Sequence, residues 1–234
     1  MNIDPSEVEK FEKLAHRWWD AEGEFKPLHD INPLRLQYVQ DRLDLDGIQA
    51  IEVGCGGGIF TETLCEKGAQ TIGIDPAVGP LTVAKIHALE QEINDQLAYE
   101  VSTAEEYVET HREYFDGVFS FEMLEHVPDF RITVQALADL AKPGSRLFFS
   151  TINRHPIAYI TMVVAGEYLL DVLPKGTHEY ERFIKPSELA QASRDAGLLV
   201  KNVQGYRYNP FSRHASFCDS VDVNYLMYLE KPAK

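Results

Sequence analysis

A chain of 234 residues can bury one good core without needing a second domain, and 44% hydrophobic with 25% charged residues is the make-up of a globular protein. The formal net charge of −15 excludes the basic footprint that nucleic acid demands, and it excludes simple electrostatic attraction to anionic lipid. Three cysteines without paired spacing, Cys55, Cys65 and Cys218, suggest neither a disulfide framework nor a Cys-type zinc site, and the acidic stretch Met1 to Glu7 lacks signal-peptide and transit-peptide character, so a cytoplasmic location is expected.

The segment Asp4 to Asp20 sets Val8, Phe11, Leu14, Ala15 and Trp18 at helical spacing behind an Asp4 cap with Pro5 just inside, which predicts an amphipathic helix laid on something else. Trp18 to His29 is too aromatic for a linker and too broken for an element, and reads as a packed loop covering a site. Asn32-Pro33 is expected to open a second helix carrying Leu34, Leu36, Tyr38, Val39 and Leu43; Arg35, on its first turn, reads by itself as a solvated charge. From Gly47 onward strands near 49–54, 70–74, 97–101, 115–121 and 145–151 alternate with helices near 57–67, 79–92, 103–109 and 129–141, the pattern of a parallel, doubly wound sheet.

The pivot of that alternation is Ile51 to Gly58, an apolar run that turns abruptly into glycine. Glycines there let the backbone turn tightly and approach a ligand. The dinucleotide fingerprint would place its third glycine at position 59, which is Ile59. The chain instead has Glu52-x-Gly54-x-Gly56-x-Gly58. A carboxylate at the strand end suits a cationic ligand and would repel a pyrophosphate. S-adenosylmethionine carries an ammonium and a sulfonium and no phosphate. A second strand, Gln70 to Asp75, ends in an acid placed to accept ribose hydroxyls.

At the carboxyl end of the 115–121 strand lies Glu122-Met123-Leu124-Glu125-His126. If the chain makes a helical turn there, Glu122, Glu125 and His126 at i, i+3 and i+4 share one side, an O, O, N set suited to Mg, Mn or Zn. The same residues also read as ordinary capping or surface acids and a satisfied imidazole. In either case His126 is placed for acid–base work. Residues 153–177 are nearly apolar but interrupted by Gly166-Glu167 and Asp171, too short to span a bilayer; they read as a buried helix, a lid over an apolar substrate or an interfacial segment. A helix follows Pro186, then a strand from Leu198 to Gln204, and the chain closes on a strand, Val221 to Leu229, expected to pair antiparallel at the sheet edge.

The glycine loop, Asp75, the Phe121 to His126 stretch and Lys142-Pro143-Gly144 together resemble class I S-adenosylmethionine-dependent methyltransferases. Arg17-Trp18-Trp19-Asp20, Gly23 to His29, Ile31 to Arg35, Pro174 to His178, Phe183 to Pro186 and Val221 to Tyr225 resemble one branch, the O-methyltransferases of ubiquinone biosynthesis, over essentially the whole chain. The resemblance implies a Rossmann-like α/β fold with a seven-stranded, mostly parallel sheet and an antiparallel last strand. The single domain would comprise an N-terminal helical cover (1–46), a cofactor-binding core (47–152), an apolar lid or membrane-contact insertion (153–177) and a C-terminal part of the sheet (178–234).

The implied activity is methylation of ring hydroxyls on 2-polyprenyl-6-hydroxyphenol and 3-demethylubiquinol. By position, Arg35, Gly54, Asp75 and Met123 match cofactor contacts, joined by Glu52 and Gly56 from the loop. Glu122, Glu125 and His126 match a divalent metal site, with Mg the expected ion, and His126 and Glu125 are the candidate catalytic pair. Glu52 stands where the superfamily often has Asp, which keeps the carboxylate. The implied partners are the polyprenylated phenol or quinol, the inner face of the cytoplasmic membrane met peripherally through 153–177, and other enzymes of ubiquinone synthesis. The rival readings are a methyltransferase of a soluble phenol or catechol and a non-catalytic accessory protein that binds S-adenosylmethionine.

Overall fold

The computed structural model describes residues 2–93, 95–159 and 180–233. In chain order the elements are α1 (Pro5–Leu14), α2 (Lys26–Gln40), β1 (Gln49–Val53), α3 (Ile59–Glu66), β2 (Gln70–Asp75), α4 (Val78–Glu90), β3 (Leu97–Val101), α5 (Ala104–His111), β4 (Phe115–Phe121), α6 (Phe130–Leu140), β5 (Ala141–Ile152), the single turn α7 (Pro156–Ala158), α8 (Pro186–Asp195), β6 (Leu199–Asn209), β7 (His214–Cys218) and β8 (Asn224–Glu230). The sheet order is β3-β2-β1-β4-β5-β8-β6-β7. β3, β2, β1, β4 and β5 pair in parallel, whereas β8 runs antiparallel between β5 and β6, and β7 runs antiparallel on the outside of β6.

The class of fold expected from the alternation is the one observed, with two differences in the sheet. β7 is an eighth strand, formed because the chain turns back after Asn209 and pairs His214 to Cys218 with β6. The last strand is antiparallel but internal: β5 and β6 pair with its two edges, and the side chains of Tyr225 to Leu229 are buried in the apolar cores on the two faces of the sheet. A strand covered on both faces loses its polar alternation, and Tyr-Leu-Met-Tyr-Leu has none. In the N-terminal region, Asp4 caps α1 by accepting from the Ser6 backbone N–H at 3.0 Å, as its sequence implies. α2 starts six residues earlier than Asn32, with Pro27 in its first turn; Pro33 lies inside it, where its missing N–H forgoes the ladder bond to the His29 carbonyl.

Two apolar cores lie against the sheet. One joins Tyr107 and Val108 of α5, Val134 and Leu137 of α6 and Leu189 of α8 to Ile51, Val118, Leu147 and Met227; the other joins Leu34, Tyr38 and Val39 of α2 and Phe60 and Leu64 of α3 to Ala50, Phe119, Phe148 and Leu226. β1 lies between β2 and β4, so successive connections leave it in opposite directions along the sheet. Such a reversal opens a crevice at the carboxyl ends of the strands, where open α/β sheets bind ligands. The reading of 153–177 as a lid or membrane contact falls largely on residues outside those described. Among the described residues no helix is long and apolar enough to cross a membrane.

Candidate active site

The crevice is the end of a cavity of about 690 Å³, a usual size for a small-molecule site. Its wall includes Arg35, Glu52, Gly54, Gly56, Asp75, Glu122, Met123, Glu125 and His126, so the fold brings every sequence-derived candidate to one space.

β1 ends at Val53, and Gly54, Gly56 and Gly58 take φ of 74°, 52° and 87°, a left-handed region that side chains resist. Space requires glycine as well: a Cβ on Gly54 would lie 2.1 Å from Met123 Cγ, and one on Gly56 2.1 Å from Trp18 Cζ2. Asp75, at the end of β2, fastens the loop by accepting from the N–H of Gly56 at 3.0 Å and of Ala77 at 2.8 Å. Burial pushes its carboxyl up to about 6, against those two hydrogen bonds. Glu52 is buried and accepts a short hydrogen bond from the Thr61 hydroxyl; burial raises it to about 7. Buried acids with raised pKa values are hungry for a cation. Across the cavity the buried Arg35 guanidinium spends Nη2 on Glu122, while its Nε has no hydrogen-bond partner among the described residues. A ligand with an ammonium, a carboxylate and ribose hydroxyls fits this wall.

The Glu122 to His126 cluster differs from its expected geometry. Glu122 takes φ of 50°, and the helical turn starts only at Leu124, so the i, i+3, i+4 alignment does not apply. Each side chain has its own partners. Glu122 Oε1 accepts from Ser150 Oγ at 2.6 Å, Tyr206 OH at 2.9 Å and Arg35 at 3.2 Å. Glu125 accepts from Thr151 at 2.8 Å, and burial, then the neighbouring Glu122 charge, raise it to about 7. His126 Nδ1 lies 2.8 Å from Glu7 of α1. Among the described residues no three His, Cys, Asp or Glu side chains stand close enough to hold a metal ion, so the metal trio does not fit as arranged.

Sequence reasoning missed Glu7. It is buried, it also meets Lys10 at 2.6 Å, and the His126 hydrogen bond pulls it down to about 2 against its burial. Burial would lower His126, but the hydrogen bond to Glu7 and the charges of Glu125, Glu7 and Glu122 outweigh it and raise its pKa. A signal was available: Glu7, Phe11, Leu14 and Trp18 follow one stripe at i, i+4, i+7 and i+11, which puts a carboxylate on the apolar face of α1. Phe11 packs edge-on to the His126 ring at 5.2 Å.

The expected covering loop carries Trp18 and Trp19. Trp18 stacks on Phe25 at 3.9 Å, and Trp19 stacks on His87 at 3.5 Å and donates from its indole N–H to the Gly57 carbonyl at 2.9 Å. Under that stack Glu62 meets His87 at 2.8 Å, and burial raises the carboxyl to about 8 and lowers the imidazole.

Residues 29–203 match a family of methyltransferase domains. Among solved structures, magnesium protoporphyrin IX methyltransferase from Synechocystis with bound S-adenosylhomocysteine superposes with a TM-score of 0.70 at 16% identity, covering 97% of this chain and all of that one. A methyltransferase from Thermotoga maritima gives 0.64 at 18% identity over 97% and 98% of the two chains. Fold and family define the class, a Rossmann-like S-adenosylmethionine-dependent methyltransferase. Curated relatives named ubiquinone biosynthesis O-methyltransferase are 52% identical in Hahella chejuensis over 100% of this chain and 97% of that protein, and 50% identical in Saccharophagus degradans over 99% and 98%. The chain belongs to the ubiquinone biosynthesis O-methyltransferase family.

Proposed function

We propose that this enzyme methylates ring hydroxyls of polyprenylated phenols, 2-polyprenyl-6-hydroxyphenol and 3-demethylubiquinol, with His126 as the base. The observation that carries the reading is that His126, oriented by Glu7, shares a cavity wall with the glycine loop and Asp75. S-adenosylmethionine, when bound, supplies an electrophilic methyl group on a sulfonium.

The chain's own residues do the rest. Gly54 and Gly56 admit the ligand to the backbone, Asp75 receives hydroxyls, Glu52 offers negative charge to the ammonium, and Arg35 Nε faces the carboxylate. Glu7 holds Nδ1 of His126, which leaves Nε2 to take the phenol proton, and Glu7 then stabilises the imidazolium. A phenol near pKa ~10 must lose that proton to attack, and a positioned imidazole contributes roughly 10²–10⁴-fold. Alignment of the two reactants supplies much of the remaining acceleration. Glu125, raised to about 7, is a second group able to exchange a proton near neutrality.

Among the described residues Glu122, Glu125 and His126 do not stand close enough together to hold a divalent ion, so no step is assigned to one. The test is methyl transfer from labelled S-adenosylmethionine to a short-tailed 2-polyprenyl-6-hydroxyphenol and to a soluble catechol, each with and without chelator. Preference for the prenylated ring, unchanged by chelator, is the expected result. Loss with chelator would restore the metal, and equal rates on catechol would move the assignment to a soluble phenol.

A further inference from the structure

A further part of the cavity wall comes from the C-terminal part of the chain, where Arg207, Ser220, Asp222 and Asn224 stand among apolar residues. The apolar residues are Tyr208, Pro210 and Phe211 of the β6–β7 hairpin, with Ile152, Ile157 and Val223. Phe211 is 81% exposed while also lining the cavity, and Ile157 is 46% exposed. Leaving a phenyl ring in water forgoes its burial, and this ring stands on the wall of the cavity next to Pro210, where an apolar group of a ligand could cover it.

The hairpin presents that ring firmly. Asn209 Oδ1 accepts from the N–H of Phe211 at 2.9 Å and of Ser212 at 3.2 Å. On either side of the tip, Tyr208 donates to Asp30 at 2.7 Å, and Arg213 meets Asp30 at 3.0 Å and Glu22. The tip is thereby tied to α2 and the loop before it, and Phe211 projects from a fixed base.

We infer that the hairpin tip, centred on Phe211, is the subsite that holds the first isoprene units of the substrate's tail where it leaves the cavity. The inference rests on the prenylated-phenol reading above and names the residue that recognises the tail. A chain that begins on a ring inside the cavity and runs out along this wall meets Pro210 and Phe211, whereas a tail-less phenol has nothing to place there.

The test compares wild type with Phe211→Ser and Phe211→Leu on a phenol with two isoprene units and on its tail-less analogue. Phe211 is exposed, so neither change threatens folding. Phe211→Ser is expected to raise KM about tenfold for the tailed phenol, with kcat within about twofold and no change for the tail-less one. Phe211→Leu should restore most of the loss. Equal effects on both substrates, or none on either, overturn the subsite. So does an intact tail preference together with weakened binding to phosphatidylethanolamine–phosphatidylglycerol vesicles, which would assign Phe211 to bilayer contact. If wild type itself has no tail preference, the prenylated-phenol reading falls and takes the subsite with it.

Discussion

The floor and the cover of the cavity are assembled over different distances along the chain. In the floor, Asp75 ties Gly56 across 19 positions, and the shape follows from the ends of adjacent strands β1 and β2. In the cover, Asn2 reaches Glu105 and Thr133 across 103 and 131 positions, Glu7 reaches His126 across 119, and Asp4 meets Arg182 across 178. Glu12 adds a clasp on the first turn of α4, accepting from the N–H of Val78 at 2.6 Å and of Gly79 at 2.9 Å. The floor forms with the sheet itself. The cover has surfaces to dock on only once the sheet exists, and it is held by polar contacts that are in part solvent-exposed together with a buried cluster of Trp18, Phe25 and Ile59. The cover is expected to open at lower cost than the core, with the floor staying built.

The largest expected effect tests whether the catalytic group belongs functionally to both regions. His126→Ala should cut kcat by roughly 10²–10⁴-fold with cofactor affinity nearly unchanged. Calorimetric titration beside single-turnover rates checks this, and weak binding with normal chemistry would sink the role. Gly54→Ala attacks the floor alone. With φ of 74° and a Cβ 2.1 Å from Met123 Cγ, it should weaken cofactor binding by about 100-fold or more while protease resistance of residues 1–25 is retained.

Glu7→Ala attacks the cover and, through His126, the proton transfer that Glu7 orients. It leaves the partly buried imidazole without its partner, at a cost of about 1–3 kcal/mol, and should speed proteolysis within residues 1–25 several-fold before the core unfolds. An unchanged cleavage rate would mean that the pair does not hold the cover down.

The two regions should also part on pH. The floor acids Glu52 and Asp75 have folded values raised to about 7 and about 6, so their contribution is present in acid and is lost as pH rises through those values. The thermal midpoint of the cofactor-free enzyme should therefore fall by several degrees between pH 5 and 8, with a larger rise on adding S-adenosylmethionine at pH 8 than at pH 6. In the cover, Glu7 is lowered to about 2, so its contribution is full above about 4.5 and lost as pH falls through 2. His126 is raised, so its contribution is full below about 6.5 and fades as pH climbs past its folded value. The cover should be tightest between pH ~4.5 and ~6.5, and protease resistance flat across pH 5 to 9 would contradict this. The smallest effect should come from Asp4→Asn, whose partner Arg182 is matched at a partly exposed site: a slight loosening of residues 1–15 by hydrogen exchange and no change in kcat.

Legibility in the sequence follows the same division. Glu52, the glycines and Asp75 could be read because a buried strand, a positive φ and a strand-end acid are local demands on residue type. The pairing of Glu7 with His126 depends on where α1 lands, which no local pattern encodes beyond a carboxylate in an apolar stripe. Spacing misled at Glu122, because one left-handed residue turned a supposed helical face into three separate sets of contacts. At β7, His214 to Cys218 has too little apolar alternation to announce a strand, and pairing with β6 decides it.

Both tryptophans of the chain sit on the glycine loop, Trp18 against Gly56 and Gly57 and Trp19 on His87 with its N–H on the Gly57 carbonyl. The strands contain no indole, so intrinsic emission excited at the red edge comes wholly from the cover. The imidazole stacked on Trp19 is part of that indole's environment, and lifting the cover would separate the two. The protein thus carries its own optical gauge of cover position, and stopped-flow fluorescence can time opening and closing without an added dye.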